Sequence, residues 1–333
     1  MILIVTNKSD VHCNPVIKHF SKNNDIFFRL NTECLIEDYD FTFNYNNSGS
    51  YFEISNKKNG KKLHSRDIIS VWERRPLAVE LPSNIDKQIK EVMEQELDEL
   101  LKWIRYDLSD FRSIGSAIWD RPNESKLRQM NIAKKILEEF NCSISIPKTL
   151  ISNVKEEIIK EFQNFKHLVI KPIGADGIEL DDKFEMPFFS RKIDQNELKN
   201  ISSKDIQICP TFIQNYVEKE YELRVTVVGS KFFSCKILSQ LLPLGEGKED
   251  WREGYKIGLP QEWIETPIEI ENFCNRFLEK INSSFGCFDF IKGMDNKYYF
   301  LECNPNGQWM WQEEEIGIPI SKAIADFLSF RLT

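Results

Sequence analysis

Histidine is scarce in this 333-residue chain: four residues, at 12, 19, 64 and 167. So few and scattered imidazoles argue against a histidine-based metal site. The eight cysteines (Cys13, Cys34, Cys142, Cys209, Cys235, Cys274, Cys287 and Cys303) include no C-x-x-C pair. Zinc-site spacing is therefore absent, and reduced, mostly buried thiols are expected rather than a disulfide framework. No run of about twenty apolar residues exists, so no membrane span is expected. The apolar start Met1–Val5 lacks the basic, longer pattern of a signal peptide and reads as a buried first strand. A cytoplasmic protein is expected. There is no internal repeat, no low-complexity tract and no G-x-x-x-x-G-K-[ST] phosphate loop. Positive charge is also in deficit, with 44 Lys+Arg against 52 Asp+Glu and a net charge of -8. That balance argues against a general nucleic-acid binder and leaves room only for a local basic groove.

What is present is enough apolar material for a large core: 41% hydrophobic residues, including 24 Phe. Most Phe should be core, and some are candidates for an apolar groove. Residues 1–118 read as an α/β unit, with strands at Ile2–Val5, Phe27–Leu30 and Ile68–Trp72. An Asn59-Gly60 turn separates two alternating runs, and an amphipathic helix spans roughly 84–106. Around residue 120 the character changes, with a helix-start signal at Asp120-Arg121-Pro122-Asn123. Leu127, Met130, Ala133, Ile136, Leu137 and Phe140 then form a helical stripe. Ile144–Leu150 reads as a strand interrupted at Pro147, and His167–Pro172 as a strand followed by a loop with Gly174 and Gly177. Ile206–Val217, Glu222–Val228 and Lys231–Ser239 read as strands. Residues 243–265 read as irregular, and Ile320–Phe330 as a closing helix. These elements predict an α/β (α+β) protein divided at 1–118, 119–213 and 214–333.

The most informative stretch is Gly286–Asn304, two apolar strands around a short polar turn. If Asp295-Asn296 is a two-residue loop, Asp289 faces Glu302, and Asn304 lies on the same face as Glu302. Opposed carboxylates repel unless a cation separates them, and an all-oxygen set suits Mg²⁺. The plain alternative is an exposed hairpin edge. Lys171 ends the apolar strand Leu168–Lys171, where a phosphate would offset its desolvation, although lysines commonly snorkel from strand ends. Lys126, in the first turn of a helix, carries no signal alone. Gln214–Val217 ends a strand ahead of Glu222-x-Arg224, whose plain reading is a solvated charged face.

In this order, Lys126, Ile170-Lys171-Pro172, Gln214–Val217, Glu222-x-Arg224, Asp289 and Glu302-x-Asn304 resemble the ATP-grasp superfamily over residues 119–333. The first 118 residues look like its usual N-terminal, pre-ATP-grasp domain. Val71–Pro76, Ser239-Gln240, Asp250-Trp251-Arg252 and Leu301–Trp309 resemble more narrowly the microviridin- and plesiocin-type ligases. These install ω-ester or ω-amide macrocycles in ribosomally made peptides, the graspetides.

The resemblance implies ATP and Mg²⁺ as cofactors. Lys126 and Lys171 would meet phosphates, Gln214, Tyr216 and Val217 the adenine (the last two through backbone groups), and Glu222 the ribose. Asp289, Glu302 and Asn304 would bind the metal. Arg224 would steady the substrate carboxylate and its acyl phosphate, while Arg74, Arg75 and Arg252 would be candidates to receive acidic side chains of the core peptide. For Arg74 and Arg75 the plain alternative is a surface ion pair with Glu73 or Glu80. A precursor peptide, leader plus core, is the expected substrate, with Phe184, Met186, Phe188 and Phe189 as candidate leader contacts. A homodimer is the expected assembly. The alternative activity is ligation of a free amino acid, another small acid or a protein C-terminus. A further alternative is a binding module that kept the fold but lost the chemistry.

Overall fold

Five apolar residues in a row make a strand buried on both faces, and Ile2–Thr6 is buried throughout. It lies between Phe27–Asn31 and Ser70–Glu73, with Arg112–Ile114 beyond the latter, all parallel. The computed structural model describes residues 1–333 except 21–25, 48, 109–110, 116–121, 140–141, 176, 182–183, 244, 246 and 330–333. The side chains at 103, 106–107, 179–181, 184–185 and 256 also lie outside the described set. So do Asp120, Arg121, Phe140 and Phe330 of the expected elements, and the side chain of Phe184.

A three-stranded antiparallel sheet, Tyr39–Asn46, Gly49–Asn56 and Lys62–His64, extends the N-terminal unit. The amphipathic helix is Lys87–Asp107, and it buries Leu101 and Ile104 against Val5, Phe28 and Phe52.

The middle of the chain forms a four-stranded antiparallel sheet in the order Arg191–Asp194, His167–Lys171, Thr211–Asn215, Thr149–Ser152. A separate hairpin pairs Gly177–Asp181 with Phe184–Pro187. The last sheet has six strands, in the order Gln261–Ile264, Lys231–Ile237, Lys219–Val228, Phe285–Gly293, Tyr298–Asn304, Ile144–Ser145.

Several elements differ from the sequence reading for local reasons. Pro147 does not merely interrupt a strand. Ile144–Ser145 pairs with Tyr298–Tyr299 in the last sheet, whereas Thr149–Ser152 pairs with Thr211–Gln214 in the middle one. A residue without an N–H marks the place where the chain changes sheets. The expected strand from 206 begins only at Thr211, because Ser203–Ile208 is a short helix that buries Ile206 and leaves Ile208 74% exposed. The segment read as irregular contains the edge strand Gln261–Ile264.

One core cluster joins the N-terminal sheet to the last sheet. Ile2, Ile4, Trp72 and Ile114 pack with Val228, Cys235, Phe285, Trp309 and the closing helix Ile320–Ser329. Ser70 Oγ donates to Leu328 O at 2.7 Å and Arg112 Nε to Phe327 O at 2.9 Å, which locks that helix to the first domain. A second cluster carries part of the Phe excess. Phe273, Phe277, Phe288, Phe290 and Phe300 pack ring against ring beneath the last sheet. These phenylalanines are core, not groove.

Candidate active site

Arg224, Asp289 and Glu302 stand side by side across three neighbouring strands, Arg224 opposite Asp289 and Asp289 opposite Glu302. The carboxylate pairing agrees with the sequence reading, but the turn does not. The loop has three residues, Met294, Asp295 and Asn296: Gly293 N–H donates to Lys297 O at 2.9 Å, and Asn296 takes the left-handed conformation at φ 66°. That shifts the register by one residue, so Phe290 faces Phe300. A bulge between the Phe290 and Asp289 pairs absorbs the extra residue and returns Asp289 to Glu302.

The row is not a solvated face. Arg224 is 5% exposed, and its Nη1 donates to Asp289 Oδ2 at 2.6 Å and its Nη2 to Gln308 O at 3.0 Å. Asn304 Nδ2 lies 3.4 Å from Glu302 Oε1. Burial pushes the Asp289 carboxyl up to about 6, Arg224 opposes that rise, and Glu302 adds to it. A divalent cation beside the pair would oppose that rise and favour both charged carboxylates. Arg224 already supplies one positive charge, so charge separation alone does not demand a metal. The donor set of two carboxylates and one amide fits Mg²⁺. Among the described residues no group of three or more His, Cys, Asp and Glu could hold a metal.

Sequence reasoning missed the residue that fixes this edge. The helix Lys126–Glu139 buries Gln129, Ile132, Ala133 and Ile136, a face rotated from the expected stripe, and leaves Leu127 43% exposed. Gln129 Nε2 donates to Cys303 O at 2.6 Å, and Gln129 Oε1 accepts from Cys303 N–H at 2.9 Å. A side chain thus completes the main-chain pairing of the residue between Glu302 and Asn304. One turn earlier on the same helix, Lys126 Nζ donates to Pro172 O at 2.9 Å. Lys126 therefore reaches the strand end that carries Lys171, whose ammonium burial pushes down to about 8.

Gln214 and Asn215 end the strand Thr211–Asn215, two residues short of the expected end at Val217. Gln214 is buried, and its Nε2 donates to Thr149 Oγ1 at 2.8 Å. Tyr216 N–H is engaged with His167 O at 3.0 Å, and Lys192 Nζ sits 3.7 Å from the Tyr216 ring centroid. Glu222 is 4% exposed and accepts from Lys219 Nζ and Ser239 Oγ. Burial raises its pKa against the lowering effect of Lys219 and Ser239.

Arg74 and Arg252 are held by the protein, whereas Arg75 is exposed. Arg74 is 1% exposed; its Nη1 donates to the main chain and side chain of Asn306, and Asn306 Nδ2 donates back to Arg74 O. Burial and Arg75 together lower its pKa to about 10 against the pull of Asp10. Glu73 Oε1 accepts from Arg105 Nε at 2.8 Å. Arg252 Nε donates to Asp250 Oδ1 at 2.8 Å, and Asp250 Oδ2 accepts from Ser190 N–H at 3.0 Å. Gly307 passes so close to its neighbours that a Cβ there would meet Cys287 Cβ at 2.5 Å and Arg224 Nη2 at 3.1 Å. The loop Asn304–Gln308 is therefore gripped by Arg74 on one side and Arg224 on the other.

Lys126 reaches the strand end that carries Lys171, and the charge of Glu302 acts on Lys171; comparison with known proteins supports an ATP-grasp ligase. Residues 1–117 match the family model of the MvdD pre-ATP grasp domain. The fold matches a RiPP-associated ATP-grasp ligase of Chryseobacterium gregarium solved with ADP and a leader and core peptide, at TM-score 0.87 and 26% identity, over 99% of this chain and 96% of that one. It also matches the macrocyclase MdnC of Microcystis aeruginosa MRC bound with the precursor peptide MdnA, at TM-score 0.79 and 25% identity, over 99% of both chains. The ligase PsnB, solved with a phosphomimetic precursor variant, Mg and ADP, shares the fold at TM-score 0.71 and 15% identity, over 100% of this chain and 98% of that one. No curated protein matches the chain. The chain is an ATP-grasp ligase. Within that class it carries an MvdD-type pre-ATP-grasp domain and sits with the RiPP-associated ligases.

Proposed function

We propose that this protein is an ATP-dependent macrocyclase of a ribosomally made precursor peptide. The observation that carries the reading is the end-to-end match to ligases solved with leader, core or precursor peptides. In the proposed reaction a core Asp or Glu carboxylate attacks the γ-phosphorus of ATP, releasing ADP and leaving an acyl phosphate. A Thr or Ser hydroxyl, or a Lys amine, then attacks the carbonyl carbon, loses its proton and expels phosphate. Each turnover forms one ω-ester or ω-amide and removes one water from the peptide.

The residues divide this work by position. Lys126 and Lys171 offer cationic ends to the transferring phosphates. Gln214 and the main chain around Tyr216 and Val217 border the adenine, and Glu222 accepts ribose hydroxyls. Because Tyr216 N–H is engaged in the sheet, its contribution is through the carbonyl. Asp289, Glu302 and Asn304 are the residues that would hold Mg²⁺, which supplies charge neutralisation between the two anions when bound. Arg224, anchored by Asp289 and Gln308, orients the reacting carboxylate. Arg252 borders the core-peptide side, while Arg74 acts on that side through Asn306. Met186, Phe188 and Phe189 remain the candidate leader contacts; Met186 is 42% exposed and Phe189 lies 5.5 Å from the Arg252 guanidinium. The same reading takes the cytoplasm as the compartment and a homodimer as the assembly. No described helix is long and apolar enough to cross a membrane.

The test is mass spectrometry of a precursor encoded beside the gene, incubated with enzyme, ATP and Mg²⁺. Loss of one water per crosslink, dependent on ATP, is expected; an unchanged mass for every adjacent precursor, with turnover of a free amino acid instead, would overturn the reading.

A further inference from the structure

Lys219 is a charged residue inside the protein that none of the roles above uses. It is 7% exposed, and its ammonium is shared between Glu222 Oε1 and, at 3.1 Å, Glu249 O. On a regular strand Lys219 and Glu222 would point to opposite faces, being three residues apart. They do not, because the strand Lys219–Val228 bulges: Lys219 pairs with Gly293 but Tyr221 pairs with Lys292, so one residue, Glu220, is extra. The bulge turns Lys219 onto the Glu222 side. Ser239 Oγ donates to the other carboxylate oxygen, and Gln240 Nε2 holds the following loop through Lys248 O at 3.0 Å.

We propose that Lys219 is a positioning residue for nucleotide recognition, holding Glu222 ionised and in one rotamer so that its free lone pairs meet the ribose hydroxyls. This rests on the reading of Glu222 as the ribose acid. A carboxylate has about four acceptor sites, and Lys219 and Ser239 use one each, so two remain for a ribose. Without the ammonium, burial would favour the protonated carboxyl, which donates from one oxygen instead of accepting there. The same ammonium holds Glu249 O, which ties ribose recognition to the loop that carries Asp250 and Arg252.

The test compares ATP with 2′-deoxyATP and 3′-deoxyATP in peptide crosslinking by wild type, Glu222→Gln, Lys219→Met and Lys219→Arg. Wild type should prefer ATP over one deoxy analogue by roughly tenfold to a hundredfold in kcat/KM, the value of hydrogen bonds to a charged group. Glu222→Gln should lose most of that preference. Lys219→Met, an apolar chain of similar length, should lose it as well, mainly through KM, while Lys219→Arg should keep it. Melting temperatures identify any variant that has lost its fold, and Lys219→Gln, which keeps a donor but no charge and should likewise lose the preference, replaces Lys219→Met in that event. If Glu222→Gln loses the preference and the lysine variants keep it, the role of Lys219 is overturned and that of Glu222 stands. If wild type shows no preference, or Glu222→Gln keeps it, the ribose reading itself fails.

Discussion

Gln129 holds both main-chain groups of Cys303, donating to its carbonyl at 2.6 Å and accepting from its N–H at 2.9 Å. Cys303 lies between Glu302 and Asn304 on the strand Tyr298–Asn304. On that side the neighbouring strand pairs only with Tyr298 and Tyr299, so the ladder ends before the metal residues. The amide of Gln129 continues it. Gln129→Ala should leave a buried N–H and C=O unpaired, at a cost of about 2–4 kcal/mol. The looser Glu302 and Asn304 should raise the Mg²⁺ concentration for half-maximal crosslinking roughly tenfold, by the same energy scale, with a smaller change in KM for ATP. Thermal unfolding and Mg²⁺ titrations check this; wild-type stability and Mg²⁺ response together would remove Gln129 from the site.

Asp289 and Glu302 should be indispensable to turnover and dispensable to folding. Their removal is best done with amides, because truncating Asp289 would also take away the acceptor of the buried Arg224 Nη1. Asp289→Asn and Glu302→Gln keep shape and hydrogen bonding while removing the negative charge a divalent ion needs. Crosslinking should fall at least a thousandfold, on the scale of losing metal-dependent charge stabilisation, with far-UV circular dichroism unchanged. Activity near wild type in either variant would end the assignment of these residues to the metal.

The hairpin shows how far the sequence alone carried. The alternation of apolar residues around a polar turn was enough to place Asp289 against Glu302, yet the pairing holds through a three-residue loop and a compensating bulge. Side-chain period reveals faces, whereas bulges depend on backbone choices with no composition signal of their own. Lys219 was hidden for the same reason, since only the bulge at Glu220 brings it to Glu222. Gln129 was hidden because a polar residue on an amphipathic helix reads as surface until its partner, 174 positions away, is known. The Arg74–Asn306 grip likewise joins two motifs 232 positions apart, each legible singly and neither pointing to the other.

Gly307 is required by crowding, not by backbone angle: a Cβ would meet Cys287 Cβ at 2.5 Å and Sγ at 2.7 Å. Cys287 is fully buried in a strand and cannot retreat. Gly307→Ala should therefore push the loop away from Cys287 and Arg224 and cost about 1–3 kcal/mol, the range of overpacking. Because the loop carries Gln308 O, an anchor of Arg224, kcat should fall more than the affinity for ATP. Equilibrium unfolding and separate measurement of kcat and ATP binding test this. An alanine variant with native stability and kcat would show that the loop yields freely.

Lys171 supplies a pH prediction with a definite sign. Burial lowers its pKa to about 8, with Glu302 and Asp250 opposing the fall and Lys126 and Lys219 reinforcing it. Below about pH 8 the nucleotide-free enzyme carries the charged form, which is the form that meets a phosphate. Above it the ammonium is lost, so ATP affinity should fall by up to about tenfold per pH unit. Folding stability should move the other way, since a lysine whose folded pKa is depressed releases its burial cost as pH rises from about 8 towards its ordinary value near 10.4. Lys171→Arg stays charged throughout this range. It should bind ATP more weakly at neutral pH, because the guanidinium is larger, but with a flat profile between pH 7 and about 10. Calorimetric titration of both proteins with ATP across this range distinguishes the cases. A wild-type affinity that stays constant through pH 9 would show that Lys171 does not act on the phosphates as a titrating cation.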